Sequence, residues 1–370
     1  SSGGSSPPDP DGYTVKLVGD TSFHMGVTDT VAFPSTAARD YVMEVTGVAA
    51  NCVVTGENPR TITVAESEAK SVFLGVACPP FHDYIAFYSD RRYYETPEDE
   101  GLYVVKPDGT GLFRLAHDSL DYNYPTWSPD GTRIAFTRCN EQSCASSDLY
   151  VLDIAEQRMT RVTQDAGASL ASWSPSGDKF VYDSYKGHWT DDTWGDIYVI
   201  NEDGSNPVNL TPGSETGYDP SWSPDGSWIV YDTGDQIWVM QADGSEKTQL
   251  TDLPNTTPGY WGSAYEAAWS PDGTRIAFGG PGLGDGQRIW LMDADGSNTT
   301  LLTDYPPYYH AHHPSWSPDG TKIAFWAYKG FAEGPAHSYE IYVMDADGSN
   351  EVNLTNHAGY DVDPAWSPGP

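Results

Sequence analysis

The stretch Pro314-Ser315-Trp316-Ser317-Pro318-Asp319-Gly320-Thr321-Lys322-Ile323-Ala324-Phe325 decides the fold, together with Glu340-Ile341-Tyr342-Val343-Met344-Asp345-Ala346-Asp347-Gly348 and Val352-Asn353-Leu354-Thr355 after it. Short runs rich in β-branched and aromatic residues alternate with two Asp-Gly turns, where glycine supplies the positive φ of a tight hairpin. This predicts four antiparallel strands. Working outward, Trp-Ser-Pro recurs with Trp at 127, 173, 222, 269, 316 and 366, at successive spacings of 46, 49, 47, 47 and 50. A four-stranded unit repeated at this period buries its faces only against its neighbours, as the blades of a β-propeller do. The fold expected is all-β, a six-bladed β-propeller.

The ends of the repeat specify how the ring closes. Residues 83–118 supply three strands (Tyr84-Ile85-Ala86-Phe87, Leu102-Tyr103-Val104-Val105, Leu112-Phe113-Arg114-Leu115) but no Trp-Ser-Pro strand, and Asp363-Pro364-Ala365-Trp366-Ser367-Pro368 at the C-terminus is the missing one. Pairing the two removes the sheet edges that an open propeller would expose. Residues 9–80 have another texture. Runs at 13–18, 41–45, 61–64 and 71–76 read as strands between polar loops, a small β-sandwich behind a Ser/Gly/Pro tail at 1–8, with Pro79-Pro80 as the stiff hinge to a propeller at 81–370.

At the WSPDG-x-x-IAF and IYVMDADGSN-x-x-x-LT motifs the chain resembles the TolB-like propellers, over roughly residues 83–370. That superfamily includes protein-binding periplasmic scaffolds, propeller caps of prolyl-oligopeptidase-type enzymes and metal-dependent polysaccharide lyases. The resemblance therefore implies a fold and leaves the activity open. The segment Val48-Ala49-Ala50-Asn51-Cys52, with Asn58-Pro59-Arg60 and Cys78, resembles the immunoglobulin-like modules of exported bacterial proteins, which implies a bridge between Cys52 and Cys78.

Composition narrows the function classes. With 19 Lys and Arg against 53 Asp and Glu, the net charge of −34 excludes a basic face for nucleic acid. No run of 18 apolar residues exists, so no membrane span is expected. Cys139 and Cys144 form a second local pair, the even pattern of disulfides in an oxidising compartment; zinc spacing is absent. This points to an exported bacterial protein, extracellular or at the cell surface. Asn209, Asn255, Asn298 and Asn353 begin Asn-x-Thr sequons, although Asn-Leu-Thr is also the repeat's fourth strand.

Two candidate sites emerge. The longer connections, on the face opposite the Asp-Gly turns, hold Trp189, Trp194, Tyr308, Tyr309, His310 and His312, a candidate binding face whose plain alternative is loops packing on one another. The residue before each Pro/Ala-x-Trp is Tyr124, Leu170, Asp219, Glu266, His313 and Asp363. Asp219, Glu266, His313 and Asp363 would converge at the channel mouth, as a cation site for which oxygen ligands favour calcium, or as a hydrogen-bonded ring. No Gly-x-Ser-x-Gly elbow occurs, and no catalytic residue is assigned.

The reading is a non-enzymatic structural or binding protein that works through protein contacts, with itself or another surface protein. The rivals are a metal-dependent, lyase-like carbohydrate-active enzyme and a carbohydrate-binding surface lipoprotein that takes glycans. A Ser/Gly/Pro tail has no apolar side chain to offset the entropy of ordering it, so an ordered tail would need a holder. A second copy in head-to-tail contact is the simplest one, and it would build a homopolymeric filament.

Overall fold

The structure is a computed structural model. It describes residues 81–369 apart from 91–99, 117–121, 140–146, 157, 165, 186–194, 214, 254–262, 283–285, 330–337 and 358, and it describes the backbone of six strands before residue 80. Every regular element among these is a strand, thirty in all. The chain divides into two compact units, Ser1–Pro80 with Asp153–Arg158, and the remainder.

In the first unit, β1 (Gly12–Leu17), β2 (Ser22–Gly26), β3 (Arg39–Thr46) and β5 (Arg60–Val64) form an antiparallel sheet in the order β2-β1-β3-β5, while β4 (Val53–Thr55) pairs with β6 (Gly75–Ala77). The strands expected at 13–18, 41–45 and 61–64 are present as β1, β3 and β5. Of the run expected at 71–76, residues 71–74 lie outside the described residues and 75–76 begin β6; β2 and β4 are additional short strands. The tail at 1–8, Cys52 and Cys78 lie outside the described residues.

The second unit is six four-stranded antiparallel sheets. Five run in chain order, such as β26 (His310–Trp316), β27 (Lys322–Tyr328), β28 (Glu340–Asp345) and β29 (Val352–Asn353). The sixth is composite, in the order β30-β7-β8-β9, joining Tyr360–Trp366 to Ile85–Asp90, Gly101–Val105 and Phe113–Ala116. Its register places Trp366 opposite Ile85 and Ala365 opposite Ala86, the pairing that Trp316 and Ile323 make inside a continuous blade. The C-terminal strand thus closes the ring as the sequence required.

The repeat residues act as latches. In the WSPDG turn, Ser317 Oγ donates to Asp319 Oδ1 at 2.6 Å and accepts the Lys322 N–H at 2.9 Å, tying the first strand to the second. Ser128, Ser223 and Ser270 repeat this with Arg133, Trp228 and Arg275. In the composite blade Ser367 Oγ accepts from the Tyr84 N–H at 3.0 Å, the same latch thrown between the two ends of the propeller. A second latch lies on the outer side, where Thr303 Oγ1 accepts the Ile289 N–H and Thr355 Oγ1 the Ile341 N–H. The Asn-Leu-Thr repeat has this structural use. Asn209 accepts from the Thr211 N–H and donates to Asp196, and Asn353 caps Thr355; Asn298 stands exposed in its turn, and Asn255 lies outside the described residues.

Neighbouring blades bury each other's apolar faces. Val230, Ile237 and Val239 of one blade pack with Ala267, Ile276, Phe278 and Met292 of the next, and Ile85, Phe87, Ile323 and Phe325 are all fully buried. Burial of each such side chain contributes about 1.5–3 kcal/mol. Indole N–H groups bridge blades, Trp127 to the Ala365 carbonyl at 3.0 Å and Trp316 to the Ala268 carbonyl at 3.2 Å. Cys139 is buried at the end of its strand, and no described cysteine is a free thiol; its expected partner, Cys144, lies outside the described residues.

Removing residues 360–370 takes away one strand of the composite blade, the Ser367 latch and the Trp127 acceptor together. We expect the cooperative thermal transition to be lost and the chain to self-associate through the exposed edges of β7 and its neighbours. A truncated protein that sediments as a monomer and melts like the parent would contradict closure by β30.

Candidate functional site

The site grows from a defect built into every blade. The register of each innermost strand slips once, between Asn123 and Thr126, Ala168 and Ala171, Tyr218 and Ser221, Tyr265 and Ala268, His312 and Ser315, and Val362 and Ala365. Inside these bulges Tyr124, Asp219, Glu266, His313 and Asp363 take left-handed backbone, with φ between 48° and 57°; only Leu170 lacks it. A non-glycine residue there costs on the order of 1–3 kcal/mol, which the surrounding sheet must offset. The bulge turns these side chains toward the propeller axis, where all six residues line one cavity of about 450 Å³. Its wall runs on to Trp269, Trp316 and Trp366 and to Pro271 and Pro318 of the WSPDG turns. The cavity therefore lies between the ring of bulge residues and the face of short turns.

The ring is an ion-pair network. His313 Nε2 lies 2.7 Å from Glu266 Oε1 and the His313 backbone N–H donates to Glu266 Oε2 at 2.8 Å, while His313 Nδ1 lies 3.6 Å from Asp363 Oδ1. The other Asp363 oxygen accepts the Tyr124 N–H at 3.2 Å. Tyr124 stacks on the His313 ring at 5.3 Å, and His312, with Nδ1 3.5 Å from Glu266, stacks on Trp326 at 4.0 Å. Burial alone would lower the His313 pKa, but Glu266 and then Asp363 carry it up to about 10, so the ring is an imidazolium at neutral pH. Burial would likewise raise Glu266, yet His313 and His312 hold it well below the usual carboxylate range. Asp219 has no such close ion pair; burial and the charge of Glu266 push it up to about 6, with His313 and Asp232 opposing. Burial also raises Asp363, with His313 opposing.

Behind Asp219 lie two carboxyls that the sequence did not single out, Asp183 on β15 (Lys179–Ser184) and Asp232 on β19 (Trp228–Asp232). Both are buried, and burial followed by the charge of Asp219 raises both pKa values far above normal. They fill equivalent positions of adjacent blades, directly after Phe180-Val181-Tyr182 and Ile229-Val230-Tyr231, where the other blades carry Tyr88, Thr137, Gly279 and Trp326. An aspartate directly after the apolar run of a second strand was the available signal. Arg288 was also missed. Fully buried, it donates to the backbone carbonyls of Gln287, Tyr305, Pro306 and Tyr309 and so moulds the Tyr305–Tyr309 turn.

The expected binding face comes together only in part. Tyr308 is 68% exposed, Tyr309 gives its carbonyl to Arg288, and His310 begins β26 stacked over His312 at 6.2 Å. His312 is packed under Trp326 rather than presented to solvent. Trp189 and Trp194 lie outside the described residues. Asp219, Glu266, His313 and Asp363 do converge on one cavity, with His313 bridged to Glu266 and Asp363 and Asp219 outside the ion pairs. Among the described residues no group of three or more His, Cys, Asp or Glu has the arrangement of a metal site.

The raised Asp219 gives a signed test. The folded state keeps this proton to higher pH than the unfolded chain, so stability falls as pH climbs from about 4 through 6. We expect Asp219→Asn to stabilise the protein at pH 7.5 by on the order of 3 kcal/mol, from roughly 1.4 kcal/mol per pKa unit, and to have little effect at pH 4. His313 acts in the same sense in a higher window: its stabilisation is complete below its unfolded pKa and is lost as pH rises through about 10. Urea denaturation at pH 4 and 7.5 reads the first and at pH 7.5 and 10 the second, and an Asp219→Asn that destabilises at pH 7.5 would contradict the unpaired charge.

Comparison with known proteins follows the propeller. The chain is 30% identical over 250 residues to an uncharacterised protein of Agrobacterium fabrum, covering 58% of this chain and 79% of the relative. It is 27% identical over 291 residues to a TolB homologue of Chlorobium luteolum, covering 78% of this chain and 60% of that protein. Among solved structures, TolB of Acinetobacter baumannii superposes with a TM-score of 0.62 at 20% identity, over 77% of this chain and 67% of that one. The model of the TolB beta propeller domain matches residues 79–369, and the chain belongs to that family.

Proposed function

We propose that this protein is a non-enzymatic scaffold of the bacterial envelope that works through protein–protein contacts. The observation that carries the reading is the family match across the whole ring, residues 79–369. The chemistry of the ring supports it: His313 is committed to Glu266 and Asp363 as a stable imidazolium, which makes it a poor general base. Export is supported by the even cysteine count and the absence of a free thiol among the described residues. The immunoglobulin-like character of residues 9–80 and head-to-tail self-association belong to the same proposal, the first on the resemblance around Cys52 and Cys78 and the second on the tail's inability to order itself. Calcium at the ring is the rival occupant of that cavity, resting on its three carboxylates.

The test sets the scaffold against the enzymatic alternative. We expect no turnover of a panel of neutral and acidic polysaccharides, with or without calcium and manganese, and a concentration-dependent sedimentation coefficient that truncation of residues 1–12 abolishes. Turnover that chelator and His313→Ala both eliminate would replace the scaffold with a carbohydrate-active enzyme. Calcium that leaves thermal unfolding of the parent unchanged would remove calcium from the proposal.

A further inference from the structure

We propose that the axial cavity is a receptor for a guanidinium group on an alkyl stem, the arginine side chain of a partner protein entering from the face of short turns. This deepens the protein-contact reading and rests on it. Three features of the cavity specify the ligand.

The first is unmet negative charge with unmet acceptors. Asp219, Glu266 and Asp363 border the cavity, and His313 is already spent on Glu266 and Asp363. Asp183 and Asp232 stand behind Asp219 and not in the cavity wall, and neither oxygen of Asp183 and only one of Asp232 is in a hydrogen bond of normal geometry. Folded proteins seldom leave buried carboxyl oxygens in this condition. A guanidinium offers five N–H donors in a planar fork and keeps its charge at any physiological pH.

The second is the shape and lining. A bare ion would leave most of about 450 Å³ empty, whereas this volume lies in the range of small-molecule pockets. Between the carboxylates and the turns, the wall carries Trp269, Trp316 and Trp366 with Pro271 and Pro318. Such a shaft suits methylenes, and indole faces attract a flat cation. The third feature is the approach. Asp130, Asp225, Asp272 and Asp319 stand at the WSPDG turns, where Ser and Thr donors hold their carboxyls below the usual range and therefore charged. A rim of fixed negative charge steers a cation toward the axis.

The experiment uses the full chain and n-butylguanidinium as probe, with calorimetry and indole N–H resonances as readouts at matched ionic strength. We expect saturable binding with Kd on the order of 1 mM, at least tenfold weaker binding in Asp219→Asn and in Glu266→Gln, and no change in Asp304→Asn on the opposite face. Asp219→Asn is expected to be more stable than the parent, so its loss of binding cannot be attributed to unfolding. No saturable binding, equal weakening by Asp304→Asn, binding of n-butylammonium at least as tight, or displacement of the probe by micromolar calcium would each overturn the assignment. Polysaccharide turnover alongside intact probe binding would retire the scaffold reading alone; absence of both would retire this inference alone.

Discussion

Everything in the propeller depends on closing a ring from a chain whose two ends must meet. A blade cannot bury both faces by itself, so each derives its stability from two neighbours, and a ring open at one seam would leave two blades half covered and two edges unpaired. The seam is closed by the repeat's own device. Ser367 reaches across to the Tyr84 N–H as Ser317 reaches to Lys322 within a blade, and the Trp366 N–H is held by Ser315 of the preceding blade at 2.9 Å. Because the closing strand comes from the C-terminus and the other three from residues 85–116, the seam is a non-covalent clasp across the whole sequence of the domain.

Closure also dictates where chemistry can reside. Six inner strands converge on one axis, and bulges at a common height aim one residue each at it. The left-handed backbone at these positions is strain that six repeats of sheet hydrogen bonding can hold. Once side chains converge there, the low dielectric of the interior makes their charges interact strongly. The result is an unequal division: Glu266 and Asp363 share an imidazolium, while Asp219, with Asp183 and Asp232 behind it, lies where burial and mutual repulsion push the carboxyls toward their neutral forms. A structure built only for stability would have no reason to keep three carboxyls together in that position. This asymmetry is what connects the fold to binding.

Arg288 shows the same principle on the opposite face. Its guanidinium meets four backbone carbonyls instead of a carboxylate, so a buried cation fixes a turn rather than an ion pair. Tyr308, left-handed at φ 70° and strongly exposed, is presented by that turn. Sequence reading placed Tyr308 on this face because it lies on a loop; the reason it stands out lies 20 residues earlier, at Arg288, where no local pattern could link the two.

The sequence by itself determined the blade count, the composite blade and the positions facing the axis, because those follow from a period of nearly 48 residues, from Asp-Gly turns whose glycines need positive φ, and from one strand missing at one end and present at the other. It also brought Asp219, Glu266, His313 and Asp363 together, since equal positions in equal blades must meet around a ring. What only the tertiary structure decided is how those groups divide their charge. Which carboxylate takes the imidazolium, that His312 packs beneath Trp326 while His313 faces the axis, and that Asp183 and Asp232 stand behind Asp219 all depend on distances between blades. A repeat fixes the place of a side chain within its own blade, but the energy of a buried charge is set by neighbours contributed by other blades, and those neighbours are adjacent only once the ring has closed.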